Sequence, residues 1–140
     1  MSILICVENN VVQFSYSHPE KLPELIALAH VESGNNDKKI GKKGEISRYQ
    51  ILSQEWKHFN IHYYSVVFWK DYHIAAQVAY MKYSNILNFF HKKYKRHPNA
   101  YEFYLVWKYS LTLDMNKISY ELREKAIRYY NLTFLEQTKN

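Results

Sequence analysis

The chain has 140 residues, the length of one compact domain, which leaves no room for a second. Hydrophobic residues make up 47% and charged residues 23%, so intrinsic disorder and low-complexity structure are excluded. Lys and Arg outnumber Asp and Glu by 19 to 13, and the net charge of +6 favours an anionic partner such as nucleic acid, a membrane surface or a cell-wall polymer.

The composition favours helices over strands. The chain has 14 Tyr, 7 Phe and 3 Trp but only 3 Gly and 3 Pro, too few turn residues for an all-β fold. A single cysteine, Cys6, excludes an internal disulfide and any multi-cysteine zinc or redox motif. No apolar stretch approaches the roughly 20 residues that a transmembrane helix needs. We therefore expect a mostly α protein without a membrane span.

Residues 1–16 form a short N-terminal segment. Its apolar part, Ile3 to Val7, lacks a basic leader and is shorter than the roughly 7 to 15 apolar residues of a signal-peptide core. We interpret the segment as the remnant of an export signal, and the alternative is a cytoplasmic protein. Residues 17–140 are expected to form a single domain.

The first predicted helix runs into a glycine-rich segment. Helix signals begin near Ser17, and apolar residues at helical spacing continue to about Ser33, with Gly34 as the C-cap. All 3 glycines lie within eleven residues, from Gly34 to Gly44. Residues 35–51 have no helical periodicity, so we predict a short irregular loop or β-hairpin there.

Later segments also have helical signals. Ser53 is expected to cap a short helix that runs through Trp56, and Asp71 opens the longest periodic segment. Asn99 is expected to be the N-cap of a further helix, and the final helix is expected to begin near Ser119. The apolar face predicted for the long helix consists of Ile74, Val78, Met81, Tyr83, Leu87, Phe90 and Tyr94.

Glu32 occupies an unusual position in the first helix. It follows Leu25 by seven residues and Ala29 by three, so helical geometry places it on the buried face. In the last turn, desolvation and the negative end of the helix dipole both disfavour the ionised carboxylate, as suits a general acid at neutral pH. The alternative is a solvated carboxylate that pairs with Lys38 or Arg48.

The sequence around Glu32 resembles a known enzyme family. The stretches ALAHVESGNN and GKKGEISRYQIL resemble the catalytic core of the lysozyme-like superfamily. The resemblance is strongest to the soluble lytic transglycosylases and the goose-type lysozymes. In that family a helix ends in Glu-Ser, and a glycine-rich segment closes on Gln-Ile. Here Glu32 and Ser33 supply the first motif, and Gln50 follows Glu32 by 18 residues. The resemblance implies a lysozyme-like helical fold, no cofactor, and cleavage of the MurNAc-GlcNAc β-1,4 bond of peptidoglycan.

The resemblance also implies roles for individual residues. Glu32 corresponds to the catalytic acid, Ser33 to the residue after it and Gln50 to the cleft-lining glutamine. Because Ser47 and Tyr49 lie in the same motif as Gln50, we expect both to contact substrate. Trp107 is a further candidate, since aromatic faces pack on sugar rings, although most aromatic residues at helical spacing lie in a core. Of the aromatic candidates, Tyr49 is the one expected on the surface.

A second carboxylate would distinguish two mechanisms. Hydrolysis with inversion needs a base that activates water, and Glu45 is the candidate, whereas Asp37 is expected to brace the loop. Glu45 is alternatively a partner for Arg48 or a substrate contact. Without a second base, Glu32 protonates the bridging oxygen and then accepts a proton from a hydroxyl of the same sugar, which yields an anhydro product.

The third motif of the family, Ala-Tyr-Asn-Ala-Gly, is altered in this chain. It should fall around Tyr104 to Ser110, where the sequence reads YLVWKYS. Trp107 and Lys108 replace the Tyr and Asn, so the sequence predicts no phenol beside the acid. Two other functions therefore stay open: a non-catalytic cell-wall binding or assembly module and, less favoured, a nucleic-acid-binding domain that uses the basic run HKKYKRH at 91–97.

The expected partner is peptidoglycan or a related polysaccharide, without a metal. His58 and His62 have i,i+4 spacing, but no HExxH glutamate and no third ligand accompany them. The enzyme interpretation implies a periplasmic or extracellular protein, although no complete signal peptide is present.

Overall fold

The structure, a computed structural model, describes residues 6–8, 11–13, 17–59, 66–109 and 117–139. The described residues are mostly helical, which confirms the predicted fold class. They form strands β1 (Cys6–Glu8) and β2 (Val11–Gln13), 3₁₀ turns at Pro19–Lys21 and Val66–Phe68, and helices α1 (Pro23–Ser33), α2 (Ser53–Phe59), α3 (Tyr72–Tyr94), α4 (Ala100–Lys108) and α5 (Tyr120–Thr138).

The two strands are an addition to the predicted architecture. They pair antiparallel, with Cys6 opposite Gln13 and Val7 opposite Val12. Each strand has only three residues, which is shorter than the about four to eight residues over which a strand pattern can be recognised. The predicted boundary at residue 16 stays a prediction.

The helix ends follow the predicted caps. Gly34 ends α1 in the left-handed conformation with φ of 63°. Asp71 and Ser119 accept backbone hydrogen bonds at the starts of α3 and α5, and Asn99 forms a capping box with Glu102 at the start of α4. The predicted caps Gly34 and Asn99 are confirmed, and the structure adds Asp71 and Ser119 as N-caps of helices that were expected to begin near them.

Two helix boundaries differ from the prediction. The first helix was expected from about Ser17, but α1 starts at Pro23, because a proline restricts the residue before it to extended backbone, and Leu22 has ψ of 132°. The short helix was expected to follow a Ser53 cap and to run through Trp56, whereas α2 includes Ser53 as its first residue and continues to Phe59.

The predicted apolar face of α3 is wrong in part. Met81 and Tyr94 are exposed, although they were placed on that face. The buried positions include small residues, because alanine lets a neighbouring helix approach closely, whereas the prediction followed the large apolar residues. The buried residues of α3 are Ala75, Ala76, Val78, Ala79, Lys82, Ile86 and Phe90.

The core surrounds α1, which packs against both α3 and α5. Leu25 and Leu28 of α1 are completely buried. Tyr129 of α5 stacks on Tyr104 of α4, with ring centroids 5.3 Å apart. This packing holds the C-terminal half of α4 next to the last turn of α1.

Residues 35–51, here called the bridged loop, form the predicted irregular segment. Ile46 makes isolated antiparallel bridges to both Ile40 and Ile51. The N–H of Gly41 donates to the carbonyl of Glu45 at 2.8 Å, and a tight turn lies between them. The loop therefore folds back on itself immediately after α1.

Candidate active site

Glu32 is a buried carboxylate whose two oxygens have different partners. It lies in the last turn of α1 and is 6% exposed. The Tyr104 hydroxyl donates to Oε1 at 2.5 Å, and Nζ of Lys108 donates to Oε2 at 2.8 Å. Tyr104 and Lys108 are four residues apart on α4, so they project from the same face of that helix. One helix thus orients the carboxylate from both sides.

The predicted alternative partners of Glu32 are not its partners. Arg48 instead makes a bidentate ion pair with Asp37, with N–O distances of 2.6 Å and 2.9 Å. The expectation that Asp37 braces the loop is confirmed by this pair. Lys38 is exposed and makes no ion pair in the described part of the chain.

A phenol does lie beside the acid, against the prediction. The sequence comparison placed the family tyrosine at Trp107, whereas the hydroxyl comes from Tyr104, one turn earlier on α4. Burial, and then the charge of Glu32, raise the pKa of the Tyr104 phenol far above its ordinary value. The phenol therefore stays protonated and acts as a hydrogen-bond donor. The i,i+4 spacing of Tyr104 and Lys108 was the signal in the sequence that could have indicated this pair.

Lys108 is also within electrostatic range of the second candidate carboxylate. Burial raises the pKa of Glu45, but the N–H groups of Glu45 and Lys43 and the charge of Lys108 outweigh burial and lower the pKa. Oε2 of Glu45 accepts the N–H of Lys43 at 2.9 Å. Glu45 is therefore ionised at neutral pH and is within electrostatic range of Lys108 at the end of α4.

Gln50 connects the bridged loop to the last turn of α1. Its Nε2 donates to the carbonyls of Lys39 at 3.0 Å and Ser47 at 2.7 Å. Nζ of Lys39 in turn donates to the backbone carbonyl of Glu32 at 2.6 Å. The two motif residues Glu32 and Gln50 are thus joined through Lys39, and the amide nitrogen of Gln50 is used within the loop.

The other residues expected at the substrate are engaged inside the protein. The Ser33 hydroxyl caps the end of α1, because it donates to a backbone carbonyl at 3.1 Å and accepts a backbone N–H at 3.0 Å. Ser47 is fully buried, and Tyr49 is 1% exposed, so the expectation of an exposed sugar platform at Tyr49 is wrong. Trp107 is also buried, and its Nε1 donates to the carbonyl of Tyr49 at 3.4 Å. These rings pack α4 against the loop.

A buried lysine beneath Trp107 was missed by the sequence analysis. Nζ of Lys82 donates to the carbonyl of Trp107 at 3.0 Å and pairs with Glu55 at 2.9 Å. It also lies 4.5 Å from the centre of the Trp107 ring. Burial lowers the pKa of Lys82, and Glu55 opposes that shift. Lys82 thus fixes the last turn of α4, from which Lys108 reaches Glu32.

Gly41 lies against the ends of two side chains of the loop, and this leads to a prediction. A Cβ at Gly41 would collide with the carboxylate of Glu45 and lie 2.6 Å from Oε1 of Gln50. Because these atoms are the ends of flexible side chains, we expect Gly41→Ala to displace both at a cost of about 1 kcal/mol, the low end for overpacking. The side-chain amide resonances of Gln50 in a ¹⁵N–¹H spectrum report the displacement.

Gly44→Ala is the matched control for this prediction. A Cβ at Gly44 meets nothing within 4 Å, although its φ of 83° strains any other residue. The control therefore separates backbone strain from the collision at Gly41. Unchanged Gln50 amide resonances in Gly41→Ala would show that the packing of this loop is described incorrectly.

The basic run at 91–97 lies at the end of α3 and in the connection to α4. In the sequence it is far from Glu32. Arg96 is held by Glu102 through two hydrogen bonds of 2.8 Å. Lys92, Lys93 and Lys95 are exposed. The cations open to an anionic partner in this run are therefore the three lysines.

Within residues 6–8, 11–13, 17–59, 66–109 and 117–139, no group of three or more His, Cys, Asp or Glu side chains is placed to hold a metal ion. No helix in the same ranges is long and apolar enough to cross a membrane. His62, one of the two histidines considered as ligands, lies outside the described residues. Comparisons with protein-family models, with curated proteins and with solved structures found no match to this chain.

Proposed function

We propose that the protein cleaves the β-1,4 bond between MurNAc and GlcNAc in peptidoglycan, as a glycosidase or lytic transglycosylase, with Glu32 as general acid and base. The observation that carries the proposal is the buried Glu32 carboxylate, oriented by Tyr104 and Lys108 at the end of α1. Proton transfer requires a fixed geometry, which the hydrogen bond from Tyr104 helps to provide. The resemblance of the Glu-Ser and Gln-Ile motifs supplies the bond that is cleaved.

A general acid must carry a proton, and Lys108 determines when the Glu32 carboxylate can take one up. While Nζ of Lys108 is bound, Glu32 is a paired carboxylate. The Lys108 side chain is 22% exposed, so it can turn towards Glu45 or solvent when substrate arrives. Glu32 then takes up a proton, and the Tyr104 hydroxyl keeps the carboxyl group in place.

Glu32 gives up its proton during cleavage and, on the transglycosylase route, regains one from the sugar. The carboxyl group gives its proton to the bridging oxygen as the bond from that oxygen to the anomeric carbon breaks. The resulting carboxylate then accepts a proton from a hydroxyl of the same sugar, which closes the anhydro ring. In the hydrolytic alternative, Glu45 accepts a proton from the attacking water instead, and its ionised state suits this role.

A non-catalytic cell-wall binding module is the second candidate. It is favoured by the fact that both oxygens of Glu32 already have partners, as in a structural ion pair between α1 and α4. The burial of Tyr49 and Trp107 also leaves neither ring free to stack on a sugar. On this alternative the protein binds the polymer and leaves its glycosidic bonds intact.

Sedimentation of insoluble peptidoglycan separates the two candidates. The wild type, Glu32→Gln and the control Glu121→Gln are incubated with the polymer, and sugar in the supernatant and protein in the pellet are both measured. Glu121 is exposed on α5 and pairs with Lys125, so its variant makes the same charge change without a contact to Glu32, and its charge is only a minor influence on the Tyr104 phenol. The proposal expects soluble sugar from the wild type and control alone. Co-sedimentation of all three proteins without soluble sugar would support the binding module instead.

A further inference from the structure

A second site lies at the other end of α1 from Glu32. A half-open cavity of about 300 Å³ lies where the first turn of α1, helices α3, α4 and α5, and the connection at 97–100 meet. This volume is at the lower end of the range for small-molecule pockets, about 300 to 1,000 Å³. Glu24 contributes to it from the first turn of α1, eight residues before Glu32. None of the residues assigned above to glycan cleavage lines this cavity.

Aromatic rings form a rigid part of the cavity wall. Tyr83 of α3 packs edge-on against Phe103 of α4, with centroids 5.4 Å apart. Phe103 in turn stacks on Tyr129 of α5 at 5.8 Å. Because the three rings hold one another in place, the wall is formed before any ligand arrives. The π-faces of such rings attract cations.

The carboxylate in this cavity has no cationic partner in the described residues. Glu24 accepts a hydrogen bond of 3.5 Å from Nε2 of Gln137, at the outer limit for such a bond, and Gln137 is exposed. Burial, and then the charge of Glu24, raise the pKa of the Tyr83 phenol. His97, also in the lining, is exposed. Glu24 is half-buried in the first turn of α1, so its carboxylate lines the cavity and is open to a ligand.

We propose that this cavity binds a small organic cation: an ammonium or guanidinium group on an apolar body. Glu24 would pair with the charge, the rings of Tyr83 and Phe103 would contact the apolar body, and Gln137 would move aside at the mouth. An anion would be repelled by Glu24, and a neutral ligand would leave the carboxylate unpaired. The same chemistry is present in a free amine and in a lysine side chain of a peptide.

Matched probes test the proposal by NMR titration of the full chain. Benzylamine carries the charge, benzyl alcohol is its neutral counterpart, and N-acetyl-lysine methylamide presents the amine on a peptide backbone. We expect at least one amine to shift the Tyr83 and Phe103 ring resonances saturably, and benzyl alcohol to bind about tenfold more weakly than benzylamine or not at all, as expected for one charge-assisted contact. Tighter binding of benzylamine would indicate a free amine as the ligand, and tighter binding of N-acetyl-lysine methylamide would indicate a lysine side chain of a peptide.

Variants of Glu24 complete the test. Glu24→Gln should weaken the binding of the preferred amine about tenfold, Glu24→Asp should retain most of it, and Glu121→Gln should leave it unchanged. Thermal unfolding of each variant, measured first, establishes that the titrated protein is folded. Equal binding of benzylamine and benzyl alcohol, equal amine binding by Glu24→Gln and the wild type, or no saturable shift with either amine would overturn the proposal.

Discussion

Replacing Glu32 with Gln is expected to lower peptidoglycan cleavage by about 10² to 10⁴, the usual contribution of positioned acid–base catalysis, while the protein stays folded. Gln keeps the shape of the side chain and can still accept the hydrogen bond from Tyr104, but it has no proton to transfer. The variant loses the ion pair with Lys108, whose side chain is 22% exposed and can reach water. We therefore expect a stability loss of only about 1 to 2 kcal/mol.

The measurement is the initial rate of soluble sugar release, divided by the folded fraction determined by circular dichroism at the same temperature. Glu121→Gln controls for the loss of one negative charge. If Glu32→Gln instead unfolds the protein and leaves the rate per folded molecule intact, Glu32 is a structural member of an ion pair and not the acid.

Replacing Lys108 with Met is expected to cost about 3 kcal/mol of unfolding free energy at pH 7. The Glu32 side chain is only 3% exposed, so the variant leaves a buried carboxylate with the Tyr104 hydroxyl as its remaining donor.

Urea unfolding at pH 7 measures the deficit. The double variant Glu32→Gln with Lys108→Met removes the charge together with its partner and should be more stable at pH 7 than Lys108→Met alone. A Lys108→Met variant as stable as the wild type, or no recovery in the double variant, would contradict the assigned ion pair.

The fold was largely predictable because its boundaries are set by local chemistry. Asp71, Asn99 and Ser119 bond the free N–H groups of the turns that follow them, and Gly34 adopts the left-handed conformation that ends α1. Such contacts span three or four residues and can be recognised in the sequence. The buried face of α3 was less predictable, because its alanines become buried only through close helix packing.

The candidate site was predictable only on the α1 side. Helical periodicity placed Glu32 in the interior, but its partners Tyr104 and Lys108 come from a helix more than 70 residues away in the chain. No local pattern brings α4 to α1, since the stacked Tyr129 and the buried Lys82 hold it there through tertiary contacts. For the same reason the sequence did not show that the rings of Tyr49 and Trp107 lie inside the protein.

Mass analysis of the soluble products of a peptidoglycan digest, made in ¹⁸O-water, tests the central claim most directly. The wild type should release glycan fragments with new ends at MurNAc that are absent from the Glu32→Gln digest. Anhydro ends without ¹⁸O, retained in Glu45→Gln, would identify the transglycosylase route, whereas ¹⁸O-labelled reducing ends that disappear in Glu45→Gln would identify hydrolysis with Glu45 as base. Intact glycan strands after incubation with the folded wild type, or the same fragments from Glu32→Gln at the wild-type rate, would contradict the account.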